Sequence, residues 1–345
     1  MQPVEIDGRA GEGGGQVLRT SLALAVALGV PVRIANVRAG RPKPGLLRQH
    51  LTGVRAAAEI SGGDVRGAEL HSTTVELWPG PVRGGHYRFA VGSAGSAALV
   101  LQTVLVPLLL ASEPSTLEIE GGTHNSMAPT FDFLEHSFLP VLRALGASVE
   151  LELRRPGFYP AGGGCIAARI EPCRTPKPLA LHDRGAPGRG RAQIHLAHLP
   201  PSIAEREWRA VQRVLHWPSD RCQVVEHTDS AGPGNTVSLL LPFEHITAVF
   251  TGFGERRRAS ESVGNTVARA AARFQAHIAP VCEHLADQLL LPMALLAGGS
   301  FTTVEPTLHT RTNIDTIHHF LPGVIESPPA DTDSAVFTVR GRQRG

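Results

Sequence analysis

The segment Gly11-Glu12-Gly13-Gly14-Gly15 stands where a strand gives way to a helix, and Arg19 follows one turn into that helix. Backbone N–H groups left uncovered at such a start point toward any approaching anion. The chain has no GKS or GKT string and no GxGxxG at this place, so neither a Walker loop nor a dinucleotide fingerprint is present. Two readings stay open. The turn only packs, or it cradles a phosphate while Glu12, a carboxylate amid anion-binding amides, holds a divalent cation against it.

A second candidate runs from Arg38 through Arg41, Lys43, Arg48 and Gln49 to His50 and contains no acid between Arg38 and Gln49. Pro42 and Pro44 restrain this loop, so its cations are held in place. A solvated charged face normally includes balancing acids. Their absence favours contact with phosphate or nucleic acid. Two further glycine turns, Gly92 to Ser96 and Gly121 to Asn125, precede helices; Gln102 interrupts an apolar helix, and Ala128-Pro129-Thr130-Phe131-Asp132 opens another. Singly, each is an ordinary helix start. Their significance comes from lying at equivalent ends of repeated units.

Lys43 and Lys177 are the only lysines beside 31 arginines, and both sit between prolines. The nearest string to the KxDG signature of lysyl-adenylate enzymes is Glu5-Ile6-Asp7-Gly8. A nucleotidyl group carried covalently would therefore need another nitrogen. A neutral imidazole, abundant near pH 7 with an ordinary pKa of about 6.5, is the next choice. Among 16 histidines, His309 in Pro306-Thr307-Leu308-His309-Thr310-Arg311-Thr312-Asn313 lies between a strand and a helix predicted over 313–320. Strand ends facing helix starts are where α/β units place their sites.

These residues must be positioned by a repeat. Residues 3–79 read as βαβαββ: strand 3–6, helix 14–28, strand 32–37, helix 45–60, strands 64–66 and 73–78. Residues 87–171 repeat the order: strand 87–91, helix 96–111, strand 116–120, helix 129–145, strands 148–153 and 165–170. A third copy starts at 178–182, breaks off, and resumes with helix 280–297, strand 300–304, helix 313–320 and strands 324–326 and 335–340. The interrupting stretch has strands 193–198, 222–227 and 236–242 and helices 201–216 and 260–277. The expectation is a core of 1–183 plus 279–340, a small α/β domain inserted at 184–278, and a basic tail at 341–345.

Composition sets outer bounds. With 345 residues, 42% hydrophobic, and a net charge of +2, the chain is an ordered globular protein without a field strong enough to hold a polyanion non-specifically. Cys165, Cys173, Cys222 and Cys282 show no CxxC spacing, which argues against a disulfide framework or a zinc ribbon. The first residues do not resemble a signal peptide, and the longest apolar run, 97–111, is broken by Gln102, Thr103 and Pro107. A soluble, cytoplasmic protein with no membrane partner is expected.

Taken in order, DGRAGEGGGQVLRTSLALA, RAGRPKPGLLRQHLTGV, GGTHNSMAPTFDFLE, PGFYPAGGG, HLADQLLLPMAL and LHTRTNI resemble the RNA 3′-terminal phosphate cyclase family over nearly the whole chain. The resemblance implies an α/β fold of three βαβαββ units, like those of enolpyruvyl transferases, with a small α/β domain inserted in the third. It implies an ATP-dependent enzyme that converts an RNA 3′-terminal phosphate to a 2′,3′-cyclic phosphate through histidyl-AMP and RNA(3′)pp(5′)A. His309 would be the nucleophile, and Glu12 would bind Mg2+ or Mn2+. Arg19 would hold the ATP phosphates, with Arg38, Arg41 and Gln49 at the triphosphate or the RNA end. Gln102, Pro129, His284, Asp287 and Gln288 would line the nucleotide pocket. A homodimer is left open. One departure is Pro156, where the family's PGFYPAGGG-like signature usually begins with a basic residue. A catalytically silent RNA-binding or ribosome-assembly relative should lack His309 or Glu12, and both are present. An enolpyruvyl transferase would use lysines at its phosphate site and have no interrupting domain.

Overall fold

The computed structural model describes residues 2–326 and 334–342. Of the basic tail expected at 341–345, residues 343–345 lie outside the described residues. The first unit contains β1 (Val4–Asp7), α1 (Gly15–Leu28), β2 (Val32–Ala35), α2 (Arg48–Ser61), β3 (Asp64–Arg66) and β4 (Val75–Trp78). Its sheet has the order β1-β2-β4-β3. Val4 pairs with Val32 in parallel, while Val32 pairs with Leu77 and Asp64 with Trp78 in antiparallel fashion.

The second unit repeats this plan with β5 (Gly85–Ala90), α3 (Ala97–Leu109), β6 (Ser115–Gly121), α4 (Phe131–Phe133), a π turn over Leu134–Phe138, α5 (Leu139–Ala144), β7 (Ser148–Arg155) and β8 (Gly164–Glu171). Its sheet order is β5-β6-β8-β7, again with one parallel pair and two antiparallel ones.

After β9 (Leu179–Leu181) the chain builds a fourth sheet from β10 (Arg191–Ala197), β11 (Cys222–His227), β12 (Gly234–Pro242) and β13 (Thr247–Phe253). Helices α6 (Pro201–Leu215) and α7 (Ser260–Ala276) pack together beside it. The third unit then resumes with α8 (Glu283–Leu295), β14 (Gly298–Val304), α9 (Leu308–Phe320), β15 (Ile325–Glu326) and β16 (Ser334–Arg340). Its sheet, β15-β16-β14-β9, has the same parallel and antiparallel pattern. The fold is therefore mixed α/β with three copies of one motif.

The apolar run that forms α3 lies at the centre, against α1, α2, α8 and β8, with Leu101, Leu105 and Leu108 almost fully buried. A helix apolar all round belongs in such a core. No helix among the described residues is long and apolar enough to cross a membrane.

Among the differences from the sequence pattern, three have a clear local cause. Helix α2 starts at Arg48, not at Gly45. Gly45 has φ +76°, its N–H donates to the Val37 carbonyl, and a Cβ there would lie 2.3 Å from the His71 oxygen, so 45–47 is a tight loop closed only by glycine. Helix α9 starts at Leu308, five residues before the expected Asn313. Thr307 caps it by accepting from the Thr310 N–H at 3.2 Å, and the Thr312 hydroxyl donates back to Leu308 O at 2.8 Å. Threonines carry no apolar period, so the cap was the only local signal. Strand β13 has no counterpart in the pattern, because it is buried on both faces, between α7 and the segment containing α4 and the π turn, and does not alternate.

Helix α6 turns Glu207 inward. Fully buried, it accepts from Asn235 Nδ2 through Oε1 at 2.5 Å, while Oε2 meets no described donor. Burial raises its carboxyl pKa to about 7, against the bond from Asn235 and the charge of Arg206, which lower it. The folded value is above the ordinary one of about 4.3, so this group's contribution is most favourable below that value and declines as pH rises toward 7. Glu207→Gln should therefore gain about 1–3 kcal/mol relative to the parent at pH 8 and little at pH 5. Thermal melts at both pH values check it; an equal effect at each would contradict a buried, titrating acid.

Candidate active site

Helix α1 presents Gln16, Arg19 and Thr20 on one polar face, and α9 presents His309 and Asn313 one turn apart; α1 packs on α9 and α8 on α9. Between them stands Asp287 of α8, only 5% exposed. Its Oδ1 accepts from Gln16 Nε2 at 2.5 Å and Asn313 Nδ2 at 3.0 Å. Its Oδ2 accepts from Gln288 Nε2 at 3.1 Å and stands 3.2 Å from His309 Nδ1. Asn313 is held in turn by the Thr20 hydroxyl, which donates to its Oδ1 at 2.8 Å. Four donors fill the lone-pair sites of one carboxylate, so its orientation is fixed.

That orientation decides the tautomer of His309. An ionised carboxylate only accepts, so Nδ1 carries the proton and the neutral ring has its lone pair on Nε2. Nε2 lies 3.5 Å from Glu12 Oε2. Burial by itself lowers the His309 pKa and Arg19 adds to that, but the bond to Asp287 and the charges of Asp287 and Glu12 prevail and raise it.

Around Glu12 the glycine turn brings cations close. Arg41 bonds Glu12 Oε1 at 2.5 Å, and the Glu12 N–H donates to Thr312 Oγ1 of α9 at 3.2 Å. A Cβ on Gly14 would lie 2.7 Å from the Arg41 guanidinium, and one on Gly15 would lie 2.7 Å from His50 Nε2 and 3.0 Å from Arg19. With no Cβ at either position, three nitrogen donors converge there. Arg19, half-buried, has its pKa lowered to about 10 by desolvation, with Asp287 and Glu12 opposing; it stays cationic near pH 7. His50 is neutral, pushed down to about 3 by burial and the charges of Arg38 and Arg19. Its Nδ1 accepts from the Leu47 N–H, leaving Nε2–H beside Gly15.

An open cleft adjoins this cluster. Gln16, Arg19, Gln102, Asp287, Gln288 and Asn313 line its polar side, and Leu105, Phe138 and Leu291 its apolar side. Gln102 Nε2 donates to Gln288 Oε1 across it. The cleft thus unites Arg19, Gln102, Asp287 and Gln288; His309 touches it through Asp287, Glu12 lies next to His309, and Arg41 is paired with Glu12. Other expected site residues hold the framework. The buried Arg38 guanidinium donates to the carbonyls of Lys43 at 2.6 Å and Gly45 at 2.8 Å. Gln49 Oε1 accepts from the Ser96 N–H at 2.8 Å, joining α2 to the start of α3. Pro129, in the loop before α4, and His284, exposed on the first turn of α8, do not line the cleft. Beside Pro156, Arg155 donates to Gly163 O at 2.5 Å.

Gln16, Thr20, His50 and Asn313 were not singled out as separate site residues. A signal existed for three of them: polar residues one turn apart on otherwise apolar helices, at 16 and 20 and at 309 and 313.

The profile of the RNA 3′-terminal phosphate cyclase family matches residues 10–326. The chain is 51% identical over 322 residues to the RNA 3′-terminal phosphate cyclase of Koribacter versatilis (strain Ellin345), covering 93% of this chain and 91% of that one. It is 48% identical over 345 residues to that of Ralstonia nicotianae, covering 99% and 98%, and 50% identical over 326 residues to that of Pseudomonas fluorescens, covering 94% of each. Among solved structures, the enolpyruvyl transferase NikO from Streptomyces tendae aligns with 98% of this chain and 48% of its own, at 12% identity and a TM-score of 0.37. That likeness is too distant to bear on function.

Proposed function

This chain belongs to the RNA 3′-terminal phosphate cyclase family and is an enzyme of that kind, and from that premise we propose that His309 carries the adenylyl group during ATP-dependent cyclisation of an RNA 3′-phosphate. One observation carries the reading: Asp287 holds Nδ1–H of His309, which leaves the Nε2 lone pair facing the turn where Arg19, Arg41 and the Gly14–Gly15 backbone gather. Nε2 attacks the α-phosphorus of ATP, forming a P–N bond as the P–O bond to pyrophosphate breaks. An oxygen of the RNA 3′-phosphate then attacks the same phosphorus, and the P–N bond breaks to restore the imidazole. The 2′-hydroxyl closes on the 3′-phosphorus, loses its proton, and AMP leaves. Catalysis of such transfers rests on positioning and charge neutralisation.

Arg19 and the amides of the glycine turn neutralise the departing pyrophosphate, and Arg41 meets the RNA end. The cleft with Gln102 and Gln288 on one side and Leu105 and Phe138 on the other supports a pocket for the base. Glu12 would hold a divalent cation. A hard oxygen donor that already draws one guanidinium fits Mg2+ or Mn2+, which need one or two carboxylates and complete their shell with phosphate and water. When bound, the ion neutralises phosphate charge.

The test is transfer of label from α-labelled ATP to the protein in the presence of Mg2+ or Mn2+. Label stable to alkali and lost in acid is expected of a phosphoramidate; a protein that stays unlabelled favours the silent RNA binder. Arg41→Ala should weaken use of a 3′-phosphate end about 10- to 100-fold, the scale of a lost charge-assisted hydrogen bond. A 3′-hydroxyl end should bind as before. Equal weakening of both ends would remove Arg41 from that role.

A further inference from the structure

Far from α9 in sequence, a second set of chemically able side chains is buried where the second unit meets the fourth sheet. His124, from the turn after β6, is 2% exposed; Asp132, in α4, is 2% exposed; His195, on β10, is 3% exposed. One ligand-capable atom from each lies within 4.8 Å of the other two. His124 and His195 have ring centroids 4.8 Å apart, and His195 stacks on His227 of β11 at 5.1 Å.

The hydrogen bonds around the three residues leave one orphan. His124 Nδ1 meets Thr123 Oγ1 at 2.8 Å, but Nε2 is buried with no hydrogen-bond partner among the described residues. An orphaned buried nitrogen is destabilising unless something meets it. His195 Nε2 lies 3.2 Å from Asp132 Oδ1, and His195 Nδ1 lies 2.8 Å from His227 Nε2. Asp132 Oδ2 accepts from the Ser238 hydroxyl of β12.

We propose that His124, Asp132 and His195 form a binding site for a transition-metal dication of the zinc class, joining the second unit to the fourth sheet. Two imidazoles and one carboxylate are a donor set that suits zinc, with the fourth position left for water. Each ligand then keeps one partner on its other polar atom: Thr123 for His124, His227 for His195 and Ser238 for Asp132. Such outer partners orient metal-binding histidines and carboxylates. Tetrahedral bonds of 2.0–2.1 Å need ligand atoms about 3.3 Å apart. The His195–Asp132 pair already has that spacing, and His124 must close by about 1.5 Å at most. The number of protons is the same in both forms, and the tautomers of His195 and His227 shift by exchange through solvent at the half-buried His227. In the metal-free form His195 donates from Nε2 to Asp132 and accepts from His227 Nε2–H at Nδ1. In the bound form both rings carry their proton on Nδ1, and His195 donates to His227 Nε2.

The site uses none of the residues around His309, so its failure and that of the adenylylation reading are separable. The full-length protein is freed of metal with a chelator and titrated with Co2+, then with Zn2+. One tightly bound Co2+ is expected, with the visible absorption of a tetrahedral site, bleached by one equivalent of Zn2+; saturating Zn2+ should raise the melting temperature by a few degrees. His124→Phe keeps a ring against Phe158, where the histidine now stacks at 5.3 Å, and should abolish the band and the melting shift. Glu12→Gln should leave both unchanged. Absence of stoichiometric uptake by the parent protein, or a band that survives His124→Phe, overturns the proposal. If His124→Phe does not melt cooperatively, X-ray absorption on the parent protein decides: two imidazoles and one carboxylate support the site, and any other protein shell overturns it.

Discussion

His309→Ala, incubated with α-labelled ATP and a divalent cation, should end the reaction with no label on the protein. Cyclisation of a 3′-phosphorylated RNA should fall by at least about 10³-fold, the scale on which loss of a covalent nucleophile acts. Two lysines, both flanked by prolines, offer no replacement nitrogen. The variant should keep its fold, because His309 is only half-buried at the start of α9 and the cap of that helix comes from Thr307. It should also still bind ATP, since Arg19, Gln102 and Gln288 are untouched. Binding retained with labelling lost places the defect in bond formation. Labelling that persists in His309→Ala would move the nucleophile elsewhere.

Asp287→Asn is the second large effect, and it separates a positioning residue from a merely structural one. Gln16 and Asn313 both donate to Oδ1. An asparagine oxygen must stay at that position to receive them, which turns its amide toward His309 Nδ1. The amide donates, so the histidine would have to accept at Nδ1 and carry its proton on Nε2, the atom that must attack. Wrong-tautomer variants of this kind lose about 10²–10⁴ in rate.

The pH profile carries an independent signature. The attacking imidazole must be neutral, so the rate of self-adenylylation falls as pH drops through the His309 pKa. Burial lowers that pKa, but the Asp287 bond and the charges of Asp287 and Glu12 raise it overall. The acid limb of the parent enzyme should therefore lie above the ordinary imidazole value of about 6.5. In Asp287→Asn the raising bond and charge are gone while burial remains, so the limb should move to lower pH as the plateau falls. A lower plateau with an unmoved limb would mean that Asp287 does no more than pack.

How far the site was legible varies from residue to residue. Glu12 and its glycines stood out as candidates because a glycine turn at a helix start is a local feature, made by neighbours in the chain. His309 could be read only as a candidate, since the local pattern started its helix at Asn313 and left it in a loop. The threonine cap that starts α9 at Leu308 gives no hydrophobic period to detect. Arg38 and Gln49 show the opposite limit. Their residue types suit a phosphate contact, and the structure adds bonds that residue type does not foretell: one braces the carbonyls of 43 and 45, and the other accepts from the N–H at the start of α3. Strand β13 escaped detection because burial on both faces erases alternation.

The sequence by itself determined the order of strands and helices except β13, the threefold recurrence of one motif, and a short set of candidate side chains. Each follows from short-range preference: period, capping and turn formation act over a few residues. Only the tertiary structure decided which nitrogen of His309 is presented, because that depends on Gln16 reaching Asp287 across 271 positions and Glu12 reaching Thr312 across 300. Hydrogen bonds of that kind are set by how helices α1, α8 and α9 pack, and packing geometry leaves no periodic trace in the chain.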